Sequence, residues 1–423
     1  MKTKFFIQFI LILSIISSAN SQIALNGYLE SELSTQIMAD EGINLGHYKM
    51  RFDMEADALE NVRIFFNAEN QSYFGQTFFD LSKFYPGTLD SLNRAMLTMM
   101  PYFMRDSLSI MNMYGIYNTK KIELTLGRQP LAFGTGYAWN PVDVFNHKDF
   151  LDPSSELRGV DAVRLRWQIL NRLSLDGVYR LGSIPDNSDA FLEMKWGIGS
   201  LDISVLASNN LIHSLRYQAV SSSLFDPSMF EFPVLDSSIF NNLFPIFYYP
   251  KINFQLVERK QYGLTFSTEL MGMGIHGEYG HNTELNRIDD TKRTYQQWLL
   301  GLDYTFNNGL YFMYEWMKNE NGLSSIDDLD IQRYLQYMSG EHLSLFRNYS
   351  FINLSYGLKI PVVLNTFAIF NHDDISFTIT PSAQWTLNDY LVFNGFVGFN
   401  GGDAKSEFGL FKAYSRFQIT GYF

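Results

Sequence analysis

The sequence predicts an all-β chain: a transmembrane antiparallel β-barrel of about 18 strands, with short periplasmic turns and long extracellular loops. Three observations carry this expectation. The first is composition: 16% of the 423 residues are aromatic, only 18% are charged, and there is no Cys. A typical soluble domain has about 25% charged residues. The second is a two-residue alternation of apolar and polar side chains in one segment after another. The third is the spacing between those segments, where tight turns alternate with long connections.

The amino-terminal segment reads as an export signal. Lys2 and Lys4 precede an apolar run from Phe5 to Ile16, and the small residues Ala19 and Ser21 sit at −3 and −1 of a cleavage site before Gln22. The expected organisation is a signal peptide over 1–21 and one barrel over 22–423. The run is too short to cross a bilayer as a helix. No later stretch reaches the ~18 uninterrupted apolar residues such a helix needs. A mature chain in a membrane must therefore span it as strands, and only a closed barrel leaves no unpaired edge in lipid.

Leu45–Ala58 is the clearest strand. Tyr48, Met50, Phe52, Met54, Ala56 and Ala58 share one face, and His47, Lys49, Arg51, Asp53, Glu55 and Asp57 share the other. A helix would scatter those charges around its circumference; only a period of two separates them. The charged face suits a wet lumen. Val163, Leu165, Trp167 and Ile169 oppose Arg164, Arg166 and Gln168 in the same way, and Trp196 and Trp298 lie on apolar faces of their own segments. The expected strands are 23–37, 45–58, 61–70, 108–118, 121–128, 158–169, 172–182, 189–198, 201–210, 259–270, 273–282, 294–306, 310–318, 348–359, 363–371, 376–386, 389–399 and 410–423. Short connections such as Gly199-Ser200 and Asn307-Asn308-Gly309 carry hairpin chemistry. The long connections are expected at 71–107, 129–157, 211–258 and 319–347. An even strand count returns both ends to the periplasm. The final alternating segment ending in Phe423 resembles the signal read by barrel-assembly machinery.

Several function classes are disfavoured. The net charge of −12 repels phosphate backbones, so no nucleic-acid partner is expected. Without Cys there are no thiolate metal sites and no Cys nucleophile. The His residues are scattered, and His276 and His281 face opposite ways in a strand, so no metal is expected. No Ser lies in a GxSxG context, so no enzyme and no cofactor are expected. Thr88–Phe103, with Met96, Met99 and Met100 at near-helical spacing, and the Phe- and Pro-rich Ser223–Phe254 are expected to pack on their neighbours rather than hold a ligand.

The most specific local run is 126–146, LGRQPLAFGTGYAWNPVDVFN. It leaves a strand at Arg128 and enters the third long loop. Gly127, Gly134 and Gly136 permit bends, Asn140-Pro141 is turn chemistry, and Gln129, Trp139 and the other aromatics are too many for a solvated loop. The loop is expected to be packed, folded into the barrel mouth, with loop anchoring weighed evenly against a constriction role. This GRQ…NPxDxFN run, followed by Leu157-Arg158-Gly159-Val160-Asp161-Ala162, resembles porin-like outer-membrane families, including the alginate-export type. Phe133-Gly134 stands where those families often have Trp-Gly.

A barrel of 16–18 strands is wide enough for an aqueous channel. The expectation is passive passage of small hydrophilic solutes or ions, with export of a polysaccharide or transport of an apolar molecule as the alternative. The partners are then outer-membrane lipid, the barrel-assembly machinery and the solutes themselves; the oligomeric state is left open. The expected lumen and constriction residues are Arg128, Arg164, Arg166 and Arg180 on the wall, facing the loop acids Asp143 and Asp149.

Overall fold

A computed structural model of the chain describes residues 23–38, 41–146, 158–182, 188–222 and 247–423. The expected signal peptide lies outside them. Eighteen strands form one sheet. In chain order they are β1 (Ile23–Met38), β2 (Glu41–Leu59), β3 (Val62–Gly75), β4 (Ser107–Asn118), β5 (Ile122–Gln129), β6 (Val160–Leu170), β7 (Leu173–Arg180), β8 (Asp189–Ile198) and β9 (Leu201–Ser222). The second half is β10 (Phe247–Leu270), β11 (Met273–Asn286), β12 (Lys292–Thr305), β13 (Leu310–Asn319), β14 (Asn348–Gly357), β15 (Val362–Asn371), β16 (Ser376–Asn388), β17 (Leu391–Gly401) and β18 (Phe411–Tyr422). Each strand pairs antiparallel with the next, and β18 pairs with β1 from Tyr28↔Tyr422 to Met38↔Phe411. The sheet is thus closed, and no backbone edge is left for lipid. Phe423 extends the seam by exchanging two backbone hydrogen bonds of 3.0 Å with Gly27.

All eighteen expected segments coincide with barrel strands. The periplasmic turns are tight. Met271-Gly272 joins β10 to β11 with φ of 54° and 78°, the doubly left-handed geometry that matches strand twist. The opposite end departs from the expectation of uniformly long loops. β1 and β2 pair out to Met38↔Glu41, and the β11–β12 and β15–β16 connections at 287–291 and 372–375 are short. β9 and β10 run well past their expected limits, pairing from Asp202↔Ser267 to Ser222↔Phe247. Part of the expected 211–258 loop is therefore a projecting ribbon. Most of Ser223–Phe254 lies outside the described residues.

Side-chain facing follows parity. Leu165, Trp167, Trp196 and Trp298 are 47%, 45%, 55% and 40% exposed and form part of an outer apolar belt. Glu30, Glu32, Lys49, Arg164 and Asp189 point inward and are buried. The interior is lopsided. On β12–β15 much of the lumen face is apolar, with Leu299, Met313, Met317, Tyr349, Phe351, Phe367 and Ile369 packed in one cluster. Loop residues Tyr85, Leu97, Trp139, Tyr334, Leu345, Phe346 and Phe408 complete that cluster from inside the barrel. Two short helices contribute. α1 (Ser91–Thr98) starts at Asp90, whose carboxylate accepts from the Asn93 N–H at 2.7 Å, and it buries Met96 and Leu97. Within the Thr88–Phe103 segment Met96 and Leu97 pack as expected, whereas Leu92, Met99, Tyr102 and Phe103 stay exposed. α2 (Ile331–Met338) is capped in the same manner by Asp330 and buries Tyr334 and Leu335.

Candidate functional site

The third loop enters the lumen immediately after β5. Gln129 closes the strand: its buried side-chain amide donates to the Ala162 carbonyl at 3.0 Å. Leu131, Phe133 and Val142 then pack on Ala162, Val178, Phe191 and Leu206, the lumen faces of β6–β9. Beyond that contact the loop meets two buried wall carboxylates. Glu278 on β11 accepts from the backbone N–H groups of Thr135, Gly136 (2.7 Å) and Val142 (3.3 Å). Glu315 on β13 accepts from Tyr137 at 2.5 Å and Ala138 at 2.8 Å, and lies 2.9 Å from His276 Nε2. The two glycines make this approach possible. Gly134 has a φ of 93°, and a Cβ there would sit 2.4 Å from the Glu278 carboxylate; one on Gly136 would sit 1.9 Å from the Trp139 carbonyl.

The rest of the motif fixes the loop on itself and on the wall. Trp139 is buried, with its ring 5.6 Å from Tyr349. The Asn140 side-chain amide donates to the Phe133 carbonyl at 3.1 Å, and the Pro141 carbonyl accepts from Gln261 Nε2 at 2.8 Å. Asp143 does not face the pore, contrary to expectation. Its carboxylate accepts from the backbone of Phe133, Phe145 and Asn146, and burial pushes its pKa up against those hydrogen bonds. Asp149 lies outside the described residues.

The arginines divide. Arg164, Arg166 and Arg180 project into the lumen as expected, but their partners are wall acids. Arg164 donates to Asp176 through Nε at 3.0 Å and lies 5.2 Å over the Phe133 ring. Arg166 bridges Glu123 at 2.9 Å and Asp176 at 3.3 Å. Arg180 pairs with buried Asp189. Arg128 must be corrected to the outer face, where it forms a bidentate pair with Asp161 at 2.7 and 3.0 Å. Its parity is that of exposed Leu126, and Asp161 shares the face of Leu165, so alternation alone assigns both outward. Gly127 faces the lumen with a φ of 116°; a Cβ there would meet the Met113 carbonyl at 2.4 Å.

Glu278 and Glu315 were not singled out in the sequence. A faint signal existed in β11, where His276, Glu278, Gly280, Asn282 and Glu284 share a face, and in Gly301, which leaves room beside His276. A second polar network ties the α2 loop to the mouth of β9–β12. Arg259 donates to Glu284 at 2.6 Å, Glu341 accepts from Ser214 at 2.7 Å, and Arg333 lies 2.9 Å from His342 Nε2. Burial lowers the Arg333 pKa to about 10, and raises that of Glu341.

Loops cover much of the β10–β15 wall and the third loop covers part of β6–β9; among the described residues, recesses remain along β2–β8. Recesses there are lined by Asp57 and Arg63, by Arg51 and Glu55, and by Glu123, Arg164, Arg166 and Lys195. No protein-family model and no curated protein matches the chain. Among solved structures it is similar to OccK5 (OpdH) of Pseudomonas aeruginosa, with a TM-score of 0.51 and 8% identity over 94% of this chain and 97% of that one. It is also similar to a loop L8 deletion mutant of OmpT from Vibrio cholerae, with a TM-score of 0.48 and 8% identity over 96% and 100% of the two chains. A mutant of Rh. blastica porin gives 0.44 and 10% over 95% and 100%. The closed antiparallel 18-strand barrel, with its apolar outer belt, has the fold of outer-membrane porin-type β-barrels.

Proposed function

We propose that the protein is an outer-membrane channel for passive diffusion of small hydrophilic solutes or ions. The observation that carries this reading is the lopsided interior. Loops pack on the apolar cluster of β12–β15, while the recesses along β2–β8 are lined by charged side chains in mixed pairs, Asp57 with Arg63, Arg51 with Asp53 and Arg166 with Glu123. Charges in mixed pairs line a path that a hydrated solute can follow without shedding its water against apolar walls. The driving force is the concentration gradient, and no cofactor takes part.

In this reading the chain is exported by a signal peptide over 1–21 and inserted by the barrel-assembly machinery, with lipid against the outer belt. Arg164, Arg166 and Arg180, balanced against Glu123, Asp176 and Asp189, set ion preference. The third loop narrows the pore by occupying one side of it. The test is single-channel conductance of the refolded protein in planar bilayers. Discrete, ohmic openings support the proposal; a folded barrel that stays silent across salt and voltage refutes it.

A second reading rests on one different observation. An apolar recess of about 210 Å³ lies between β1–β2 and the β3–β4 loop, lined by Ile43, Leu45, Phe79, Leu81, Phe84 and Met338. A transporter of an apolar molecule would use it. Displacement of a bound fluorescent lipid probe by alkanes, without ion conductance, would favour that reading.

A further inference from the structure

The apolar recess of about 210 Å³ lies at the end of the barrel opposite the periplasmic turns, on the lumen side of β1 and β2. Ile43 and Leu45 line it from the inward face of β2, with the parity of buried Lys49, and Leu45 lies directly across from Ser34 of β1. The β3–β4 loop supplies Phe79, Leu81, Phe84, Tyr102 and Met104, and Met338 comes from the end of α2.

These walls are held in place by the protein itself. Lys83 donates to Glu41 at 2.6 Å and ties the 3-10 turn Leu81–Lys83 to β2. Asp80 caps that turn by accepting from the Ser82 N–H at 2.9 Å. The Phe84 carbonyl accepts from Tyr334 Oη of α2 at 2.9 Å, and the Phe84 ring lies 5.7 Å from that of Phe411. The recess is therefore preformed, and a guest need not order its walls.

Its chemistry is narrow. Charged side chains line the recesses along β2–β8, but among the described residues none lines this one. The Ser34 hydroxyl is spent on the Leu45 carbonyl at 3.1 Å. An ion entering here would lose hydration and gain no partner. Tyr102 and Met338 are 52% and 56% exposed, so apolar surface at the recess meets water, and covering it is favourable. Size narrows the guest further. An apolar cavity of about 150 Å³ takes benzene, and drug-sized ligands occupy pockets of roughly 300 Å³ or more. A recess between those limits suits one substituted ring. Phe79 and Phe84 meet edge to face, 5.7 Å apart at 81°, beside Tyr102 and the Met104 and Met338 thioethers. Ring edges and thioether sulfurs both pack favourably on an aromatic guest. A flexible alkyl chain would lack those contacts and lose rotamer freedom on binding.

We propose that this recess binds a neutral, single-ring aromatic molecule at the outer mouth of the barrel. The inference deepens the apolar reading by naming a ligand class, and it rests on that reading only for the open recess, not for transport.

The test uses the protein in lipid nanodiscs, where no detergent tail competes. Binding of para-fluorotoluene is followed by fluorine NMR, with empty nanodiscs as the partition background. Saturable binding above that background is expected, with displacement by toluene. Octane and benzoate should displace the probe at least tenfold less effectively. Met338→Glu places a charge at the recess and Leu81→Trp fills it; each should weaken binding at least tenfold. Leu92→Lys, on the exposed face of α1 and outside the recess, should leave it unchanged. Heat-modifiable mobility verifies that each variant is folded, and either recess variant suffices. No saturable binding above empty nanodiscs, equal binding in a folded recess variant, or octane or benzoate matching toluene would overturn the assignment. Planar-bilayer conductance separates the readings. A protein that conducts but binds no ring keeps the channel and loses this site; one that binds the ring without conducting does the reverse. Displacement by octane with no preference for the ring would keep the apolar reading and sink the aromatic site alone.

Discussion

Glu278→Gln isolates the contact that docks the third loop. The carboxylate takes two backbone N–H groups on Oε1, from Thr135 and Gly136, and one on Oε2, from Val142. Glutamine retains a single acceptor oxygen. If that oxygen stays with Thr135 and Gly136, the new amide N–H points at the Val142 N–H, and two donors face each other. The variant loses one hydrogen bond to a charged group, about 1.5–3 kcal/mol, and leaves a buried donor unpaired at about 1–3 kcal/mol. Part of this is recovered by relaxation, so docking of 134–142 should weaken by roughly 3 kcal/mol, about a hundredfold in the docked-to-undocked ratio. Glu315 and Trp139 still hold the loop, so the barrel should remain folded. Hydrogen exchange read by mass spectrometry should show faster exchange across 134–142 and little change in β1–β4. Gly134→Ala should mimic it, since its Cβ would press on the same carboxylate. Unchanged protection in both variants would refute the idea that the Glu278 contact determines where this loop sits.

Leu165→Arg, on the lipid face, should cost ~2–4 kcal/mol near the bilayer midplane; Gln168→Arg, in the lumen, should cost little in the same denaturant unfolding from lipid, and equal costs would reverse the facing assignment. Arg164→Gln with Arg166→Gln leaves Asp176 and Glu123 without their cations, so reversal potential in a salt gradient should move toward cation preference. Asp143→Asn should leave reversal potential unchanged while loosening the loop, since the Asp143 carboxylate is spent on loop backbone; a shift in the second and none in the first would contradict both. Glu407, in the loop after β17, accepts from Tyr349 Oη at 2.7 Å and Asn371 Nδ2 at 2.8 Å, and burial, reinforced by Asp374 and Asp373, raises its pKa from 4.5 to about 8. A folded-state pKa above the unfolded one gives stability that is full below about 4.5 and lost as pH rises through about 8. Proteolysis of 402–410 should therefore be faster at pH 9 than at pH 5, and Glu407→Gln should flatten that dependence; equal pH dependence in the variant would rule Glu407 out as its source.

The strands were legible because each lies between two different solvents. β2 has water beside Asp53, Glu55 and Asp57 and lipid beside Tyr48 and Met50, and that contrast writes itself into a two-residue period. The contrast fades on β14. There Tyr349 and Phe351 face the loop cluster while Ile352 and Leu354 lie on the opposite face, so both faces are apolar and the sequence does not say that the lumen is filled. The extra length of β9 and β10 was hidden for a related reason. Leu211, Leu215 and Val257 are buried, so the segment lacks the charged face that marks a wet strand. Inward folding of the third loop was legible from its aromatics, but its anchors were not. Gly136 and Glu278 lie 142 residues apart, and no local pattern pairs them. The misplacement of Arg128 had no such excuse: its parity with Leu126 was visible throughout.

The way the loop is held changes where the pore's field comes from. An acidic loop facing a basic wall would place opposite charges across the narrow zone. Here the described part of the loop meets the wall through backbone N–H groups, and the wall supplies the carboxylates Glu278 and Glu315, both buried under the loop. Asp143 is likewise spent on loop backbone. Among the described residues, then, this loop offers the pore shape and little charge. In the proposed channel the field arises on β2–β8, where Arg51, Arg63, Arg164 and Arg166 each sit within reach of an acid. The exposed pairs among these, Arg63–Glu55 and Arg166–Glu123, are screened within about 8–10 Å at ordinary salt, and the buried Arg164–Asp176 pair much less. Ion preference should therefore weaken as salt rises, while the pore's dimensions, fixed by desolvated hydrogen bonds and the packing of Trp139, should not change.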